Sequence, residues 1–237
     1  MDTTLDPVLD LKLALWVFLG LLPIDAAFLA LNAIHLQALD GNAPAWLQNS
    51  VFSIHLELGL SEGAEYLQSA LTALVVGLMA RRLRAPILWV LCALNAWMAL
   101  DNALALHERM GWRLGRNVFD GMTLGLNRPE DLGELIAFAL IGTGFLILLA
   151  LTWRTASPRA RRIAAILSTA VAAAAFFGVG VDAFHSSPWA RDFETLAATV
   201  EDGGESLMLS LGCALAVGCY AAGRPRRPAT TTTLAEA

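Results

Sequence analysis

The sequence predicts an all-α, polytopic membrane protein whose six transmembrane helices form three repeated helical hairpins. Three observations carry that prediction. The chain has 237 residues, 57% of them hydrophobic and only 16% charged, whereas a soluble domain of this length carries about 25% charged residues. Its apolar residues are gathered into long runs parted by polar stretches. Three of those runs also carry an aspartate, lead into a polar loop, and are followed by an acidic pair that opens the next run.

A spanning helix needs roughly 20 apolar residues. Six segments meet or approach that length: about 11–37, 62–81, 86–108, 132–153, 162–185 and 203–222. The apolar part of the second begins only at Tyr66. Pro23 and the Gly142/Gly144 pair lie inside segments, where a bilayer helix tolerates them. The first segment reads as a retained helix, because Asp2, Asp6 and Asp10 stand where a signal peptide carries positive charge. Residues 1–222 thus form one six-helix domain. Residues 223–237, Arg/Pro-rich and then Thr-rich, are expected to be a disordered cytoplasmic tail. Cys92, Cys213 and Cys219 all fall in apolar segments and read as small core residues, with no disulfide framework.

Orientation follows from the basic residues, which are retained in cytoplasmic loops. Arg81, Arg82 and Arg84 follow segment two; Arg154, Arg159, Arg161 and Arg162 follow segment four; Arg224, Arg226 and Arg227 follow segment six. The loop holding Arg109, Arg113, Arg116 and Arg128 is discordant. Three stretches against one put both termini in the cytoplasm of a multi-pass bacterial inner-membrane protein. Trp16, Trp89 and Trp153 then fall near the inner ends, and Trp46, Trp112 and Trp189 near the outer ends, as an aromatic belt would. Trp97 is mid-segment and fits neither.

With this topology the acids sort to one side. Asp25, Asp101 and Asp182 lie on outgoing helices. Glu62/Glu65, Asp131/Glu134 and Asp202/Glu205 open the returning ones. His35, His55, His107 and His185 lie toward the outer face as well. Repeats running in the same direction imply a pseudo-threefold axis along the membrane normal, which would bring the acids together. Each i, i+3 pair shares a helical face, as do Asp182 and His185, and Asp101 and Glu108 at i, i+7.

A carboxylate at the bilayer centre costs about 2.5–3.5 kcal/mol on insertion scales. One such residue can be helix-to-helix glue, but three in register point to a site. The outer member of each acidic pair, and Glu130 or Glu201 beside it, can equally be an N-terminal cap. Glu65, Glu134 and Glu205 sit a turn deeper. The expected metal ligands are Asp101, His107, Glu108, Asp182, His185, Glu65, Glu134 and Glu205, supported by Asp25, Glu62, Asp131 and Asp202. Mixed imidazole and carboxylate donors suit zinc, iron or manganese, and oxygen donors alone suit calcium. Asp/Glu-x-x-His or Glu-x-x-Glu repeated on several helices resembles the ligand spacing of di-iron carboxylate bundles. His107 could also be a solvated interfacial residue, and His35 and His55 ordinary helix-end or loop residues.

The stretch Leu100-Asp101-Asn102-Ala103-Leu104-Ala105-Leu106-His107-Glu108-Arg109 resembles a helix end of uncharacterised bacterial multi-spanning proteins with an Asp-acid-x4-His-Glu pattern. Asn102 replaces the second acid here. The resemblance implies a topology and no activity. The His/Asp/Ser cluster is similar to that of alkaline-ceramidase-like membrane hydrolases, but those have seven helices and a His-rich zinc site, so their activity is not carried over.

Nothing in the chain matches a phosphate loop, a Rossmann fingerprint or a Gly-x-Ser-x-Gly elbow. The net charge of −5 argues against nucleic-acid binding. No lysine lies in segments two to six, which excludes a Schiff-base retinal protein by that route. The expected partners are the bilayer and a lipid-borne or small-ion substrate. Three functions fit: an outward-facing divalent-metal site, which would suit a metal-dependent enzyme on a lipid-borne substrate; an ion- or proton-coupled transporter using the same acids; or a structural membrane subunit.

Overall fold

A computed structural model describes residues 7–54, 59–119 and 122–223, among which the chain is helical and contains no strand. His55, Arg224, Arg226, Arg227 and the expected tail lie outside the described residues. The helices are α1 (Leu11–Leu39), α2 (Leu60–Leu83), α3 (Pro86–Leu104), α4 (Leu106–Asn117), α5 (Pro129–Trp153), α6 (Pro158–Ala175), α7 (Asp182–His185) and α8 (Glu194–Ala222). A π-helical turn, Phe176–Val181, joins α6 to α7, and a 3-10 turn, Pro188–Phe193, joins α7 to α8. Six stretches are long and apolar enough to cross a membrane: α1, α2, α3, α5, Pro158–His185 and Pro188–Ala222.

Local chemistry sets most of the boundaries. Pro86, Pro129 and Pro158 each stand in the first turn of a helix, where the missing N–H costs nothing and the fixed φ suits a helix start. Ser157 caps α6 by accepting from the Ala160 N–H at 3.3 Å. Asp10 caps α1 by accepting from Leu13 at 3.0 Å.

Two expected boundaries are corrected. The third segment is not one helix to residue 108. It stops at Leu104, and Ala105 turns into the left-handed region with φ +47° before α4 begins. A non-glycine residue there costs roughly 1–2 kcal/mol. Asp101 offsets this by accepting the His107 backbone N–H at 2.9 Å. Asp101 and Glu108 therefore do not share a helical face. The sixth segment begins at Glu194 rather than near 203, so the Gly203–Gly204 pair is helix interior.

The bundle has a basic end and an acidic end. At the basic end, the Asp10 N–H donates to Gly218 C=O at 3.0 Å, and Arg159 donates to Ala222 C=O at 3.2 Å. The α1 start, the α8 end and the α5–α6 connection thus meet there. This half is packed with apolar and small residues, among them Val76, Ile87, Leu88, Leu91, Ile163 and Ala216. The starts of α2, α5 and α8 and the ends of α3 and α7 gather at the other end, with most of the acids.

Helix α8 packs against α1, α2 and α6, while α2 packs on α3, and α3 also touches α5 and α6. The hairpins are not packed alike: α1 barely meets α2, whereas α6 and α8 lie side by side. Helix α4 lies along α5 through glycines. A Cβ on Gly133 would fall 2.2 Å from the Gly111 carbonyl oxygen, and one on Gly115 2.5 Å from that of Pro129. Small residues let backbones approach this closely in membranes.

The loop after α1 is pinned by buried polar side chains. Asn32 accepts the Ile54 N–H at 3.1 Å, and the His35 ring donates to Leu47 C=O at 2.7 Å. His35 is thus a structural residue of the loop. Trp16, Trp89, Trp153, Trp46, Trp112 and Trp189 are all exposed, and Trp97 is partly covered.

Candidate metal centre

The π-helical turn Phe-Phe-Gly-Val-Gly-Val determines where the end of the fifth span points. Each wide turn shifts the register of the residues beyond it, which swings Asp182 and His185 toward α8. Glycine makes the approach possible. A Cβ on Gly178 would fall 2.1 Å from Glu205 Oε2, and one on Gly204 2.2 Å from Phe177 Cδ1. His185 Nδ1 lies 2.9 Å from Glu201 Oε2. One ligand atom from each of Asp182, His185 and Glu201 lies within 4.8 Å of the others, the one such trio found among the described residues. The Asn127 N–H donates to Ser186 C=O at 2.7 Å, tying the approach to α5 onto this corner.

The other expected ligands surround this trio. His107 faces Asp101, with Nδ1 3.3 Å from Oδ2, and stacks on Phe138 of α5 at 5.0 Å. Glu108 Oε1 is 4.0 Å from its Nε2. Burial by itself would lower the His107 pKa. Contact with Asp101 and the charges of Asp101, Glu134 and Glu108 outweigh it and push the pKa up to about 9. At neutral pH the protonated form of His107 is therefore favoured, and in that form the ring does not offer its lone pair to a metal. It supplies positive charge to the acids instead.

Glu134 lies within electrostatic range of His107, Asp182, Asp131 and Glu108. Glu205 reaches Asn102 of α3 and feels Asp202, His107 and Glu62. Glu65 feels Glu205, Asp202 and Glu62, with Ser206 beside it. These contacts link the acids of α2, α3, α5, α7 and α8 into one continuous layer. Three acids at the edge have local tasks. Asp131 accepts from the Arg128 N–H at 3.1 Å and pairs with its guanidinium at 2.6 Å, acting as the cap of α5. Glu130 pairs with Arg116 at 3.0 Å. Glu62 accepts from the Tyr66 hydroxyl. Asp25 lies deeper, beside Ser206, Ser210 and Gln68.

Glu201 is the residue that the sequence reading did not place among the ligands. Starting the last helix near residue 203 made Glu201 a cap at the headgroups. With α8 beginning at Glu194, it stands two turns inside the helix. The signal was its i, i+4 relation to Glu205, which puts both on one face.

These features define a class: a helical bundle with six stretches long and apolar enough to cross a membrane and a layer of acids and imidazoles at one end. Within it, the chain belongs to the family described as a domain of unknown function (DUF8692), whose model matches residues 11–219. This agrees with the resemblance to uncharacterised proteins; the ten-residue stretch around Asp101 is too short to establish it alone. No curated protein and no solved structure matches the chain.

Proposed function

We propose that this protein binds a divalent metal ion at the acidic end of its bundle, through Asp182, His185 and Glu201. The close approach of those three ligand atoms carries the reading. Two carboxylates and one imidazole suit zinc, iron or manganese. The set leaves coordination positions open, as catalytic sites do. Phe184, Trp189 and Phe193, exposed next to the trio, make a lipid-borne substrate the natural class. The metal would supply an activated water there. By the distribution of Arg81, Arg82, Arg84, Arg154, Arg159, Arg161 and Arg162, this end faces outward from a bacterial inner membrane. The reading does not require the hairpins to be true repeats, and their unequal packing gives that equivalence little support.

Metal analysis of detergent-purified protein tests the site. Stoichiometric zinc, iron or manganese is expected, with Glu201→Gln and His185→Ala each weakening retention at least about tenfold. Metal-free protein that also shows no thermal shift with these ions would sink the proposal.

A second reading, an ion-coupled transporter, draws on one observation. Uncharged polar side chains continue beneath the acids: Gln68, Thr72, Asn95 and Ser210 are all buried inside the bundle. Flux into proteoliposomes separates the two. Ion movement that is lost in Asp101→Asn and Asp182→Asn favours transport, and no flux in the wild type rejects it.

A further inference from the structure

Asp25 is the fifteenth residue of the 29-residue α1, so it stands near the middle of the span. Although α1 is a peripheral helix, the Asp25 side chain is covered: the residue is 4% exposed. It faces α2 and α8. Ser206 donates to its Oδ1 at 3.4 Å, and Ser210 and Gln68 flank it. Gln68 Nε2 donates to Ser210 Oγ at 2.9 Å, which leaves the Ser210 hydroxyl proton for Asp25. No Lys, Arg or His figures among the groups acting on Asp25.

Two acceptor oxygens here have no hydrogen-bond partner, Asp25 Oδ2 and Gln68 Oε1. Both residues are more than nine-tenths buried. A buried carboxylate without a counter-charge is costly, as is a buried acceptor without a donor. Each also lies against hydroxyl oxygens that have lone pairs to give. The set is a carboxylate, an amide and two hydroxyls drawn from three helices, with oxygen donors and one negative charge.

From this arrangement we infer a second cation site, formed by Asp25, Gln68, Ser206 and Ser210, that takes a monovalent hard cation, sodium. All-oxygen donors select a hard cation. A single carboxylate balances one positive charge and would leave a divalent ion uncompensated at this depth. The midplane is also where coupling ions bind in secondary transporters. Ser206 connects the two levels, since it lies beside both Asp25 and Glu65. Occupancy below is thereby felt by the acid layer above. The site shares no ligand with Asp182, His185 or Glu201, so it stands or falls independently of the metal reading.

The test uses full-length protein in detergent, stripped of divalent metal with chelator. Its melting temperature is compared in sodium, potassium and N-methylglucamine chloride at equal ionic strength. A saturable rise specific to sodium is expected, since a ligand that binds only the folded state stabilises it. Asp25→Asn should abolish the rise and Ser210→Ala should move its midpoint to higher sodium. Divalent-metal content, measured before stripping, should be unchanged in both. Equal melting in all three salts would overturn the site, as would a sodium response that survives in Asp25→Asn. Should Asp25→Asn not fold, binding of radioactive sodium to the wild type and Ser210→Ala decides: no displaceable sodium in the wild type, or equal affinity in both, rejects the site.

Discussion

Gly133→Ala is expected to be the most damaging added methyl group among the described glycines. Its Cβ would lie 2.2 Å from the Gly111 carbonyl oxygen, 2.8 Å from that carbonyl carbon and 2.9 Å from the Gly111 Cα. All three are backbone atoms, so no side-chain rotation relieves the overlap. Helix α4 would have to leave α5. The fit is reciprocal, because a Cβ on Gly111 would meet Glu134 Cγ at 2.1 Å. Overpacking typically costs 1–3 kcal/mol, and an immovable backbone puts this case at or above about 3 kcal/mol. The control is on the same helix: Gly142 has nothing within 4 Å of its Cβ position. Melting in detergent should therefore fall sharply for Gly133→Ala and stay near wild type for Gly142→Ala. Equal melting of the two variants would mean that α4 does not lie on α5. The displacement should also carry His107 away from Phe138, since α4 holds one ring and α5 the other.

The spans were legible because the bilayer imposes a length. A run of about 20 apolar residues has one inexpensive fate there, a helix that satisfies its own backbone. The ends of those helices were less legible. Between Leu100 and Arg109 the sequence has no glycine or proline, yet the helix breaks at Ala105. The break is held by a tertiary-like contact, Asp101 accepting the His107 N–H, at a separation of six residues. No short-range cap has that spacing. The last helix starts well before the apolar run that marks it, which begins near residue 203. Within it, a Cβ on Gly203 would lie 2.8 Å from Leu29 Cδ2, and one on Gly204 would strike Phe177. These glycines are small so that α8 can pack closely, a cause that lies in other helices and cannot be seen locally. An apolar run that begins near residue 203 leaves Glu201 outside the helix, as a cap, and so hides it. The clustering of acids at one end was visible from their order in the chain. Which two of them meet His185 depends on the π-helical turn, whose Phe-Phe-Gly-Val-Gly-Val sequence has no distinguishing period.

Stability should depend on pH through His107, in a direction that its surroundings fix. Asp101 faces it from α3, Glu108 shares its helix, and Glu134 lies on α5, with Asp182 and Glu205 farther off in the same layer. Its ordinary value of 6.5 is raised to about 9 in the folded protein. The folded state therefore holds the proton more tightly than the unfolded chain does. The resulting stabilisation is fully present below about pH 6.5, declines as pH rises from there, and is gone above about pH 9. At 1.36 kcal/mol for each pKa unit, it is on the order of 3 kcal/mol. The difference in melting temperature between wild type and His107→Gln, followed in chelator-treated protein from pH 6 to pH 10, isolates it from other titrating groups. That difference should be largest at the acid end of the range and shrink through pH 9. Asp101→Asn removes the nearest partner, so its decline should begin at the same pH, which the unfolded chain sets, and end at lower pH than in the wild type. A difference that grows with pH would mean that His107 is held neutral, with its lone pair free. It would then return to the set of candidate ligands beside His185, and the acid layer would need its positive charge from elsewhere.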